Sequence, residues 1–199
     1  MAKVVDGGGP PVNDAERSAI AYLRDRLPDS FVLLHNFEIE RQGERFEIDI
    51  ALLTPHALYL IDVKGTRGTI DVYGNKWYPE GRAPYPSPLG KLRGHARTVK
   101  GLITQANPGR HELDSIYVDA AILLTAPDAH LNDCADLDQK QVVKLKDAEI
   151  RHPPGSCHFV AGDRTALCAV GRTGLRRLAA TAAADGAAAP AGNGRRLRA

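Results

Sequence analysis

Hydrophobic positions recur along this chain with two periods. Behind Asn13 or Asp14, either of which can cap a helix, Ala19, Ile20, Leu23 and Leu27 return at helical spacing, and Pro28-Asp29 ends the run. The pattern then changes to short apolar runs and alternation. Residues 31–39 read as a strand, Gln42-Gly43-Glu44 as a turn, and residues 46–53 as a second strand broken at Thr54-Pro55. Residues 57–64 form a third strand, whose apolar first half predicts a central position with both faces covered. Residues 69–73 and 76–78 read as a fourth strand and a short return across Gly74-Asn75.

Four prolines make residues 79–88 a loop. Leu89, Leu92, Ala96, Val99, Leu102 and Ile103 then line one side of a helix over 89–105 that ends at Asn107-Pro108-Gly109. Residues 116–125 are a strongly apolar strand. Beyond Pro127 the pattern weakens to an edge strand at 141–145 and a last helix at 173–184. Helix, strands, helix, strand predicts an α/β fold with a central mixed sheet flanked by helices. Gly7-Gly8-Gly9-Pro10-Pro11 predicts a loose segment over 1–12, and the folded domain is expected over 13–178. The Ala/Gly/Arg composition of 179–199 reads as a linker or tail, as in the first module of a longer protein.

Composition narrows the class only a little. The chain has 199 residues, 43% of them hydrophobic and 25% charged, which is ordinary for a folded domain. Cys134, Cys157 and Cys168 are an odd set without tight spacing, which argues against a disulfide framework and fits a reducing cytoplasmic setting. Their spacing around His158 is not that of a zinc site. No apolar run approaches the ~20 residues of a membrane span, and no secretion signal is visible. The formal net charge is only +2, yet residues 81–110 hold Arg82, Lys91, Arg93, Arg97, Lys100 and Arg110 with no acid among them. Such a stretch is either a phosphate-facing surface or a solvated helix face.

The chemistry lies in the second and third strands. Asp49 and Asp62 are acids set in apolar strands, where a carboxylate is costly without a partner. Alternation puts Asp62 and Lys64 on one face, and strand register can bring Asp49 beside them. Two adjacent carboxylates repel unless a cation lies between them, and oxygen donors suit Mg2+ or Mn2+. Acid, acid and lysine are the minimum set for metal-assisted phosphodiester hydrolysis. Spacing alone leaves open the plainer alternative of an ion pair, Asp62 with Lys64 or Asp49 with Arg45.

Residues 15–105 resemble the nuclease-related domain, a branch of the PD-(D/E)xK nuclease superfamily. The features occur in the family order: Glu16-Arg17 on a first helix, Leu27-Pro28-Asp29, Ile48-Asp49, Leu60-Ile61-Asp62-Val63-Lys64, Gly65 to Gly68, Asn75-Lys76-Trp77, and Ser87-Pro88-Leu89 before a long helix. The resemblance implies a restriction-endonuclease-like core. It implies Asp49 and Asp62 as metal-binding acids, Lys64 as the catalytic lysine, Glu16 as an acid aimed at the metal, and the carbonyl of Val63 as a further ligand. It also implies DNA as the partner, with Arg67, Lys91, Arg93 and Arg97 as contacts, and cleavage in phage defence or DNA processing. Two departures stand out: Asp62 is shorter than the Glu common before x-Lys, and Lys91 occupies the place of the Gln in the usual Asn-Pro-x-x-Gln.

Other roles stay open. The resemblance equally implies a weakly active or inactive module that binds DNA or docks on a partner, fused to a C-terminal domain such as a kinase in a larger defence protein. Glu16 alone is an ordinary first-turn acid. Arg67 suits phosphate or plain surface, Trp77 and Tyr78 suit the hairpin more than a base, and His95 is expected to be solvated.

Overall fold

The computed structural model describes residues 1–148 apart from 42, 56, 115, 134–137 and 139. The expected last helix at 173–184 and the expected tail lie outside the described residues. In chain order the elements are β1 (Lys3–Asp6), α1 (Asp14–Arg26), β2 (Val32–Arg41), β3 (Glu44–Leu53), β4 (Ala57–Lys64), β5 (Thr69–Tyr73), β6 (Lys76–Pro79), β7 (Tyr85–Pro86), α2 (Pro88–Ala106), β8 (Tyr117–Leu124), β9 (His130–Asn132) and β10 (Val142–Lys144).

The main sheet runs β1-β2-β3-β4-β8-β10. It is mixed: β2, β3 and β4 are antiparallel, while β1–β2, β4–β8 and β8–β10 are parallel. Alternation along each strand sends side chains to two cores. Ile50, Ile61, Val63 and Leu123 pack with Ala19, Ile20 and Leu23 of α1. Leu60, Ile122 and Leu124 pack on the other face with Leu89, Leu92, Ala96 and Val99 of α2. The second sheet, β7-β6-β5-β9, adds Ile70, Val72 and Trp77 to that same core. The fold is therefore α/β, with a central mixed sheet flanked by helices, and β4 is central with both faces covered, as its apolar first half implies.

Helix α1 starts where the Asn13 side-chain oxygen accepts the Glu16 N–H at 3.0 Å, satisfying one of the free amides of the first turn. Its apolar stripe closes at Leu27, and the Leu27 N–H still reaches the Leu23 carbonyl before Pro28 prevents continuation.

The beginning of the chain departs from expectation. Residues 3–6 are not loose but form β1, parallel to β2, with the Lys3 N–H on the Phe31 carbonyl and the Gly7 N–H on that of His35. The glycines that follow permit close approach rather than freedom. A Cβ on Gly8 would lie 2.4 Å from the Asn36 carbonyl oxygen, and one on Gly7 would lie 2.7 Å from Phe37 Cβ. The Pro-rich loop also carries a two-residue strand, β7, on the edge of the second sheet.

Candidate active site

The site arises where the main sheet splits. β3 pairs with β4 only from Leu53↔Leu58 to Ile50↔Ile61, yet it stays paired with β2 as far as Arg41↔Glu44. Asp49 sits at the point of separation. On its β2 side the ladder also skips, because Asn36 has φ 49 and leaves the regular strand conformation between the His35↔Ile50 and Phe37↔Ile48 pairs. The phase of alternation changes there, so Ile48 joins the α2 core and Ile50 the α1 core. The freed Val63 N–H of β4 donates to Asp49 Oδ2 at 2.7 Å, so a side chain replaces a missing ladder bond.

Into this split opens a cavity of about 260 Å3. The strands contribute Glu47, Asp49, Asp62 and Lys64, and α2 contributes Pro88, Lys91, Leu92 and His95. Asp62 and Lys64 share a face as i and i+2, and their charges meet at 2.6 Å between Nζ and Oδ1. The plainer ion-pair reading is thus realised for Asp62 within a site that also contains Asp49. Arg45 pairs with Glu38 and Glu40 at 3.4 and 3.2 Å.

Electrostatics marks Asp49. Its carboxyl is pushed up from 3.8 to about 6, chiefly by burial and also by the neighbouring charges of Asp62 and Glu16, against the opposing Val63 N–H and the pull of Lys64. The folded state therefore favours the protonated acid, and between pH 4 and 6 it holds more of that proton than the unfolded chain does. Stability from this group is full below pH 4 and is lost as pH rises through about 6. We expect the melting temperature of the metal-free protein, relative to Asp49→Asn, to fall by several degrees from pH 4 to 6 and then level off. Parallel melting curves in EDTA across that range would refute the assignment.

The other expected residues are placed as follows. Glu16 is buried at the start of α1, where Oε2 accepts the Val12 N–H at 2.8 Å and Oε1 accepts from Asn13 Nδ2 at 2.5 Å. It acts on Asp49 through its charge but does not line the cavity. The Val63 side chain is buried in the α1 core while its peptide N–H serves Asp49. Lys91 lines the cavity from the first turns of α2. Arg67 and Arg97 are exposed and do not line it. Arg93 turns toward β8 and β10, where its guanidinium binds the Gln141 side-chain oxygen while Gln141 donates to Asp119.

His95 is a correction. Expected in solvent, it is half-buried, stacked on Phe46 with centroids 4.1 Å apart, and part of the cavity wall. Burial, then the charge of Lys91, lower its pKa, while Asp62 opposes both. Its spacing of four residues from Lys91 was the available signal, since i and i+4 share a helix face. Trp77 is fully buried, with its ring N–H on Asp138, so the hairpin role holds and base stacking is excluded for its ring.

A sheet split around an acid pair and a lysine, with a helix start facing them, defines a nuclease-like α/β domain. The family model for the nuclease-related domain matches residues 12–125, more than half of the chain. The chain belongs to that family. No match was found among curated proteins or among solved structures. Among the described residues no helix is long and apolar enough to cross a membrane.

Proposed function

We propose that this domain is a divalent-metal-dependent nuclease that hydrolyses DNA phosphodiester bonds. The observation that carries the proposal is the meeting of Asp49, Asp62 and Lys64 in one cavity at the split between β3 and β4. The donor set fits a hard cation: Asp49 and Asp62 share the cavity, with Glu47 also on its wall, and the raised pKa of Asp49 reflects in part the like charge of Asp62. Asp49 and Asp62 would hold Mg2+ or Mn2+, which supplies Lewis acidity toward a phosphoryl oxygen. Lys64 offers a cation on the same face as Asp62, suited to orient a water and to stabilise charge on the phosphate oxygens. Lys91 and the positive end of the α2 dipole, entering at Pro88, favour an anion in the same cavity. Glu16, held by its cap contacts, sets the local field rather than acting as a ligand.

Supercoiled plasmid tests this directly. Conversion to nicked or linear forms is expected with Mg2+ or Mn2+ and is expected to stop in EDTA. Purified, folded protein that leaves plasmid intact at every metal tested would remove the proposal.

One observation favours a second reading. Among the described residues no group of three or more His, Cys, Asp or Glu side chains converges to hold a metal. A cavity whose acids do not converge as a group of three fits a weakly active or inactive module that binds DNA or docks on a partner inside a larger defence protein. Calorimetry separates the two: DNA binding retained without any heat of Mn2+ binding selects the module.

A further inference from the structure

Beyond the point where β4 departs, β2 and β3 continue alone as a two-stranded arm against α2. Between arm and helix lies a second cavity of about 440 Å3, lined by Arg41, Glu44, Arg45 and Phe46 from the arm and Thr98 from α2. Lys91 and His95 line both this cavity and the acid one, so the two adjoin at these side chains, the outer one forming a groove beside the acid cavity. Lys91, His95 and Thr98 fall at i, i+4 and i+7, one face of α2, and seven residues of helix rise about 10 Å. That length is of the order of one to two nucleotides of strand.

The charges in the groove are unevenly committed. Arg45 is engaged by Glu38 and Glu40. Among the described residues no ion pair holds Arg41 or Lys91. Arg41 also reaches across to α2, its Nη1 lying 4.0 Å from where a Cβ on Gly101 would stand. The groove therefore presents two uncommitted cations, one at the outer end and one at the junction with the acid cavity. The stacked Phe46–His95 pair lies between the arm and the helix. Glu44 is the one acid in this wall and works against an anion there.

We infer that this groove is a subsite for the phosphodiester backbone of a nucleic-acid strand, seating the phosphate next to the one in the acid cavity, with Arg41 and Lys91 as its contacts. The inference rests on the nuclease reading for the placement of the neighbouring phosphate, but the groove's own affinity is independent of cleavage. Cations bind phosphate by releasing counterions, so each contact contributes a measurable salt dependence.

The test is anisotropy of a fluorescein-labelled twelve-nucleotide DNA strand titrated with the full chain in EDTA, where cleavage is absent. Arg41→Ala is expected to weaken binding roughly fivefold at low salt and to reduce the salt slope by about 0.7, the value for one phosphate contact on a single strand. Thr98→Glu, which sets an acid on the groove wall, is expected to weaken it similarly. Arg26→Ala on α1, beside Tyr22 and away from the groove, changes net charge equally and is expected to leave binding unchanged. Equal losses for Arg41→Ala and Arg26→Ala, or no loss for Arg41→Ala and Thr98→Glu, would overturn the subsite. The outcomes stay separable from the nuclease proposal. Arg41-dependent binding without metal-dependent cleavage keeps the subsite and removes the nuclease, and cleavage with Arg41-independent binding does the reverse.

Discussion

Lys64→Ala is expected to lower metal-dependent plasmid cleavage by about 10^2- to 10^3-fold while leaving metal binding intact, and Asp62→Asn to abolish both. The difference follows from position. Lys64 Nζ lies 2.6 Å from Asp62 Oδ1, and both side chains line the cavity with Asp49. Losing one preorganised donor toward a developing oxyanion typically costs that much in rate. The ammonium is also a competitor for Asp62, so its removal should leave the carboxylate as available to Mn2+ as before, or more so. Asp62→Asn removes an anionic oxygen donor and leaves Asp49 as the sole acid of the proposed ligand pair. Nicking rates at saturating Mg2+, with calorimetric Mn2+ titration of each variant, separate the two effects. A Lys64→Ala protein that cleaves at the wild-type rate would remove lysine from the chemistry. A Lys64→Ala protein that no longer binds metal would show that the lysine organises the acids instead.

Which parts of this arrangement were legible in the chain depends on the range of the interactions that make them. Helix α1 and strands β2 to β5 follow from local alternation and from nearby caps and turns. The pairing of Asp62 with Lys64 on one face follows from the two-residue period alone. The acid pair needed more. Asp49 meets Asp62 because β3 leaves β4 after Ile50 and because Asn36 interrupts the ladder beside it, and an asparagine at positive φ has no mark in a hydrophobic pattern. His95 was misplaced for a similar reason. Its burial comes from Phe46 on an arm that extends beyond the sheet, a contact set by tertiary structure and not by the helix's own stripe. Glycines in residues 7–9 read as looseness, whereas Gly7 and Gly8 let the backbone pass close over β2. Glu16 shows the converse: read alone it is an ordinary first-turn acid, and its oxygens are engaged at the helix start.

The largest effect on stability is expected at Asp138, a residue without any local signal. It is buried, and its Oδ2 accepts the Trp77 ring N–H at 2.7 Å and the Ser87 hydroxyl at 2.5 Å. Its carbonyl accepts the N–H groups of Gln141 and Val142 at the entry to β10, and its own N–H donates to Asp133 Oδ2. One residue therefore ties the second sheet and the residue preceding α2, through its side chain, to the edge of the main sheet, through its backbone. Asp138→Ala would strand a buried indole N–H and a buried hydroxyl. Hydrogen bonds to a charged acceptor contribute about 1.5–3 kcal/mol each, and the orphaned donors carry a desolvation cost, so a loss of about 3 kcal/mol is expected. For a chain of this size that is a drop of about 6–12 °C in melting temperature. Asp138→Asn keeps an acceptor oxygen for both donors and should cost only about 1 kcal/mol. Because the Ser87 hydroxyl donates directly to Asp138, Ser87→Ala and Asp138→Ala should be markedly non-additive in a double-mutant cycle. Additive losses would mean that Ser87 draws no stability from Asp138. The same link reaches the candidate site, since Ser87 precedes Pro88 and Lys91 on the cavity wall. Below its melting temperature Asp138→Ala should therefore still show weakened cleavage, with Asp138→Asn restoring it.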